Sequence, residues 1–155
     1  MMAMMTRVES VRSRVLATID AFRWVAPLLG RLALGLLFMS TGWGKVHDIP
    51  KVTHFFETLG IPLPGLNAVV VGFSELVGGS ALVVGLFTRL AAVPLIVSMV
   101  VAILTAKVGD LHGLFDLVGF DEFTYLVVLL MIVVLGPGRM SLDAILCRKL
   151  GWAEH

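Results

Sequence analysis

Residues 66–87 form an apolar run with one charged side chain, Glu75, near its middle. A run of that length can cross a bilayer as a single helix, which needs about 20 mostly apolar residues. A carboxylate at that depth costs at least ~2.5 kcal/mol on insertion scales. Such a group is expected to face the interior of a helix bundle and to mark a functional or pairing site.

Three more apolar runs cover about 25–43, 90–107 and 120–136. The fourth is the shortest, with its most apolar part starting at Phe123. It borrows residues from the acidic stretch before it or sits where the bilayer thins. None of the runs alternates as a strand would, and helices satisfy every backbone group internally in lipid. Composition agrees: the chain is 58% hydrophobic and 15% charged, with a mean hydropathy of +0.98. A soluble domain is nearer about 25% charged. The expected fold class is all-α: an integral membrane four-helix bundle forming one domain over 25–138, with the lipid bilayer as its first partner.

Residues 1–24 read differently. Val8, Val11, Val15, Ile19 and Phe22 recur at helical spacing, with Arg7, Arg12, Arg14 and Arg23 spread among them. Spread arginines do not suit a secretory signal. The pattern predicts an amphipathic helix lying on an anionic membrane surface; a partly disordered basic tail is the alternative. Lys and Arg counts orient the bundle. With the N-terminus inside, Arg7, Arg12, Arg14, Arg23, Arg89, Arg139, Arg148 and Lys149 lie on the inner side. The outer side, with loops over 44–65 and 108–122, holds only Lys45, Lys51 and, at the end of the third run, Lys107. Both termini are thus expected in the cytoplasm, with 139–155 as a cytoplasmic tail.

Local signals mark the joints. The connection over 85–89 is short enough to make the second and third helices an antiparallel hairpin. Thr88 can cap the third helix, and Ser141 a short helix after Gly136-Pro137-Gly138. Pro62 and Pro64 suit a helix start. Ser74, Gly78, Ala81 and Gly85 form a small-residue stripe, beside Gly79, that lets another helix approach closely.

Few polar groups can carry chemistry. Arg31 is the best partner for Glu75, because an arginine side chain can span the expected offset between them; the alternative is that Arg31 snorkels to the headgroups. Lys45 is expected at the interface. Without a partner, Glu75 would be kept neutral by its burial. It could then donate a hydrogen bond to a carbonyl such as a quinone oxygen, relay a proton, or only tie two helices together. His47, His54 and His112 share the predicted outer side with acidic residues, a weak candidate metal or haem-edge set; solvated loop histidines are the plainer reading. Trp43, Tyr125 and Trp152 fit an aromatic belt. Cys147 is the only cysteine, so neither an internal disulfide nor a CxxC redox pair exists. No basic cluster interleaves with aromatics, which argues against a nucleic-acid partner.

Four segments together resemble the DoxX family of small bacterial membrane proteins. They are Arg31-Leu-Ala-Leu-Gly-Leu-Leu-Phe38 through Gly42 and Lys45, then Phe73-Ser-Glu-Leu-Val-Gly-Gly79, then Gly85-Leu-Phe-Thr-Arg-Leu-Ala-Ala92, and finally Gly136-Pro-Gly-Arg-Met-Ser-Leu-Asp143. The resemblance implies a multi-pass inner-membrane protein. Among such proteins are a subunit of a thiosulfate:quinone oxidoreductase and others linked to oxidative and thiol stress. The family's motif positions fall here on Arg31, Gly42, Lys45, Glu75, Gly78, Gly79, Arg89 and the 136–143 stretch. Three functions follow as expectations. The first is the membrane subunit of a redox-associated complex, with a quinone site near Glu75 and a soluble oxidoreductase partner. The second is a non-enzymatic scaffold or assembly partner. The third is a small oligomeric transporter using Glu75 as its proton site.

Overall fold

The computed structural model describes residues 12, 16, 17, 20–22, 24–138 and 140–150. The interfacial helix expected over 1–24 lies largely outside the described residues, as do Arg139 and Trp152. Seven α-helices are described: α1 Val25–His47, α2 Ile49–Thr58, α3 Pro64–Val84, α4 Thr88–Ala106, α5 Leu114–Gly119, α6 Asp121–Leu135 and α7 Leu142–Leu150. A single 3₁₀ turn, Val108–Asp110, follows α4. Among the described residues there is no strand. The chain is an all-α membrane bundle. Helices α1, α3 and α4 are each long and apolar enough to cross a bilayer. Helix α6 has 15 residues, about 22 Å at the α-helical rise, which is short of a hydrocarbon core of about 30 Å.

Backbone chemistry sets the breaks. Helix α1 runs past Trp43 to His47 before Asp48 ends it. The Asp48 carboxylate then accepts from the Lys51 amide at 3.2 Å and caps α2, with Pro50 in its first turn. That turn separates His47 from His54. Helix α3 opens on Pro64, where the missing N–H costs nothing. It closes on Gly85 at φ +76°, a left-handed position that glycine occupies without strain. The amides of Gly85 and Leu86 both donate to the Ala81 carbonyl, at 2.8 and 3.0 Å.

The start of α4 corrects an expectation. Thr88 does not cap it; its hydroxyl is buried with no hydrogen-bond partner among the described residues. The cap is Asp143 of α7, whose two carboxylate oxygens accept from the amides of Phe87 (2.7 Å) and Thr88 (2.9 Å). The Asp143 amide donates in return to the Gly85 carbonyl at 2.9 Å. A carboxylate offers two acceptor oxygens to the orphan donors of a helix start, and a threonine hydroxyl only one. The expected Ser141 cap does form, for Ser141 Oγ accepts from the Ala144 amide at 3.0 Å.

The bundle is two tight helix pairs, α1 with α3 and α4 with α6. The first pair depends on glycines. A Cβ on Gly35 would lie 2.8 Å from a Val83 methyl and 3.0 Å from the Gly79 carbonyl. One on Gly42 would collide with the Leu76 backbone, and one on Gly79 with the backbone of Met39. Small residues let backbones meet in lipid, where no hydrophobic force drives helices together. Between the pairs lies the core: Leu34, Phe38, Leu82, Ala92, Leu95, Met99, Leu129 and Ile132. The outward faces are apolar as well, with Leu36, Phe73, Val77, Leu90, Leu104, Leu130 and Val134 exposed. In a chain this poor in charge, those faces are a lipid-contact surface.

Candidate functional site

Glu75 is 2% exposed, the most buried acidic side chain among the described residues. Its partner is Lys45: Nζ stands 2.5 Å from Oε1. Thr41 Oγ1 donates to the other oxygen, Oε2, at 3.1 Å. Thr41 and Lys45 are one turn apart on α1 and so share a face. Two glycines bring that face to Glu75. Gly42 lets α1 lie directly on the Glu75–Leu76 backbone. At Gly72, three residues before Glu75, a Cβ would approach Lys45 Cβ to 3.4 Å and a Val46 methyl to 3.3 Å, so its absence leaves room for the lysine stem. The lysine side chain keeps 31% of its surface. The carboxylate is enclosed, while its counter-ion reaches open space.

Arg31 does not meet Glu75, which corrects the pairing expected from the sequence. Nη1 donates to the Pro137 carbonyl at 2.8 Å and Nη2 to the Met140 carbonyl at 2.7 Å. Arg31 is 3% exposed, so it does not snorkel either. Helix register is the cause. With Gly42 opposite Leu76 and Gly35 opposite Val83, Arg31 lies level with the α3–α4 turn. The expected offset aligned the middles of the two apolar runs, but α1 continues beyond its run to His47. That continuation brings Lys45, expected at the interface, down to Glu75.

The ion pair opens into a cavity of about 1150 Å³. Its walls are mainly apolar and come from α1, α2, α3, α4 and α6. Ser74, Ser98 and Tyr125 border it. The Tyr125 ring stands edge-on to Phe38, with centroids 6.3 Å apart. Trp43 is exposed and stacks on His47 at 4.2 Å.

Other expected site residues disperse. His47 Nδ1 lies 2.9 Å from the Trp43 carbonyl, and His54 pairs with Glu57 at 3.5 Å. The His112 amide donates to Asp116 at 3.0 Å. Among the described residues no group of three or more His, Cys, Asp or Glu could hold a metal ion. Of the small-residue stripe, Gly78 faces Leu95 and Ala91 of α4, while Gly85 faces Arg31 and Ser141. Gly79 packs on α1, Ser74 borders the cavity, and Ala81 is half-buried. Sequence reasoning missed Thr41, Gly35, Gly72, Ser98 and the site role of Tyr125. The spacing of Thr41 and Lys45 was the one legible signal, and it has meaning only once α1 is known to be helical beyond Trp43.

A small α-helical membrane bundle, with an enclosed carboxylate paired to a lysine between glycine-packed helices beside a mainly apolar cavity, is the class of protein these features define. The DoxX family model matches residues 26–108, and the chain belongs to that family. It is 35% identical to the uncharacterized membrane protein Rv3486 of Mycobacterium tuberculosis, over 77% of this chain and 80% of that one. It is 28% identical to the inner membrane protein YqjF of Escherichia coli, over 81% of this chain and 95% of that protein. It is 32% identical to CatD of Bacillus subtilis, which carries the provisional name of an oxidoreductase, over 77% of this chain and 85% of that one. No solved structure matches the chain.

Proposed function

We propose that this DoxX-family protein is the membrane subunit of a redox-associated complex and that its cavity binds the head group of a quinone. One observation carries the reading: the enclosed Glu75 carboxylate and its partly exposed partner Lys45 form the polar end of a mostly apolar cavity of about 1150 Å³. Ligand sites combine apolar walls with a few placed polar groups. Lys45 has three N–H donors and spends one on Glu75, so it has donors left for a ring carbonyl oxygen. Glu75 holds the ammonium in place, and Thr41 fixes the carboxylate. The name of CatD supports a redox association. Electrons would come from a soluble oxidoreductase partner, because the chain has one cysteine and hence no dithiol pair of its own.

The same reading places the protein in the bacterial inner membrane with four crossings. Helix α6 completes the fourth by drawing in residues before Asp121, and both termini face the cytoplasm. Cysteine-accessibility labelling at residues 3 and 153 checks the orientation; labelling only from the outer side would reverse it.

Titration of a short-chain quinone into purified protein in nanodiscs tests the binding. Saturable binding is expected, weakened at least tenfold by Glu75→Gln with the melting temperature measured in parallel. Thr41→Val, which leaves both charges in place, should weaken it less. Absence of saturable binding by wild-type protein overturns the quinone reading. If cross-linking in membranes then captures a stoichiometric protein partner, the scaffold reading replaces it.

A further inference from the structure

We infer that the cavity takes its ligand sideways from the bilayer, through a cleft between α3 and α4, and that the ligand is a chain-bearing amphiphile whose tail lies in that cleft. The inference rests on the cavity described above and deepens the quinone reading by assigning the tail's place and the route of entry.

Helices α3 and α4 leave their shared turn in close contact. Gly78 is the reason: a Cβ there would lie 3.2 Å from the Leu95 side chain and 3.3 Å from the Ala91 carbonyl. Beyond that contact both helices line the cavity. The α3 residues Val70 and Ser74 and the α4 residues Val97, Ser98 and Val101 all border the cavity. Pro94 lies between the two α4 contact residues Ala91 and Leu95 and borders the cavity too. It cannot donate to the carbonyl four residues back, which loosens the helix at that point.

The opening is on the lipid side. Val70 is 51% exposed and Val97 55%, so residues that border the cavity also reach the outer surface of the bundle. Both belong to helices fit to cross a membrane, and from Leu90 to Ala106 α4 carries no charge. The outer end of the cavity also meets water, where exposed Gly44, Asp48 and Lys51 border it. Helix α2 lies across part of that end, with half-buried Val52, Phe56 and Leu59 turned to the cavity. Size points the same way. Pockets for drug-sized ligands run to about 1,000 Å³, and this one is about 1150 Å³, more than one ring fills. A ring at Lys45 leaves apolar volume that an alkyl or isoprenoid chain would occupy.

Two photoreactive probes test the inference in phosphatidylethanolamine/phosphatidylglycerol nanodiscs. One is a quinone with an isoprenoid chain carrying a terminal diazirine; the other is the matching isoprenoid alcohol without the ring. Expected is labelling of α3 and α4 by the quinone probe, centred on Val70, Val97 and Val101 and abolished by excess unlabelled quinone. Val97→Trp together with Val101→Trp should weaken the long-chain quinone at least tenfold and leave a short-chain, water-soluble quinone within twofold. Competable labelling confined to α2 would mean entry from the aqueous end and overturns the inference. So does equal loss of the long- and short-chain ligands, or no competable labelling by either probe. If only the ringless alcohol labels the cleft, in competition with its own unlabelled form, the lateral route stands and the quinone reading falls.

Discussion

At the scale of single residues, two absences and one ion pair build the site. Gly42 and Gly72 carry no Cβ, so α1 and α3 meet closely enough for Lys45 and Thr41 to reach Glu75. Glu75 is enclosed and Lys45 is not, so their removal has unequal consequences. Lys45→Met leaves an uncompensated buried carboxylate, which costs roughly 3–5 kcal/mol when both partners are fully buried. With Lys45 still about one-third accessible, a loss near the lower bound of that range is expected in reversible unfolding from detergent. Adding Glu75→Gln should recover much of it, and a double-mutant cycle reads the coupling directly. Gly42→Ala is expected to cost at least as much as ordinary overpacking, about 1–3 kcal/mol, because the new methyl meets backbone instead of a side chain that can turn aside. Its second signature is functional: by pushing α1 off α3 it should weaken ligand binding along with stability. A thermal melt unchanged by Gly42→Ala would contradict the packing described here.

At the scale of elements, the far end of the bundle is held by a latch. Arg31 of α1 donates to the Pro137 and Met140 carbonyls after α6, and Asp143 of α7 caps α4. Gly85, in the turn between α3 and α4, packs against Arg31 and Ser141. Most helices touch this junction, which fixes the end of the bundle where α3 turns into α4. Loss of an N-cap costs about 0.5–2 kcal/mol. Asp143→Ala should fall in the upper part of that interval, because it orphans two amides. Hydrogen exchange should locate the effect: Phe87 and Thr88 amides should exchange faster, while those around Glu75 change little. The family-like segments at 31, 85–92 and 136–143 looked like three separate motifs in the sequence. They are one contact, and linear order hid it because their side chains meet only after the chain has crossed the bundle and returned.

At the scale of the whole molecule, local rules settled a great deal. Apolar runs without alternation require helices in lipid, and Pro64 opens α3 as expected. The depth of Glu75 in its run marked it as enclosed. Which cation it meets, which hydroxyl supports it and which aromatic borders its cavity were all decided by register. Register depends on where glycines allow two backbones to touch, and that is a property of a helix pair. Arg31 and Lys45 are both plausible partners by composition; only the placement of Gly42 on Leu76 brings one to the carboxylate and takes the other to the latch. One-dimensional chemistry thus determined that this chain is a membrane bundle with an enclosed acid. The tertiary structure alone determined its counter-ion and its cavity, because both are made by helices distant in the chain and brought level by packing.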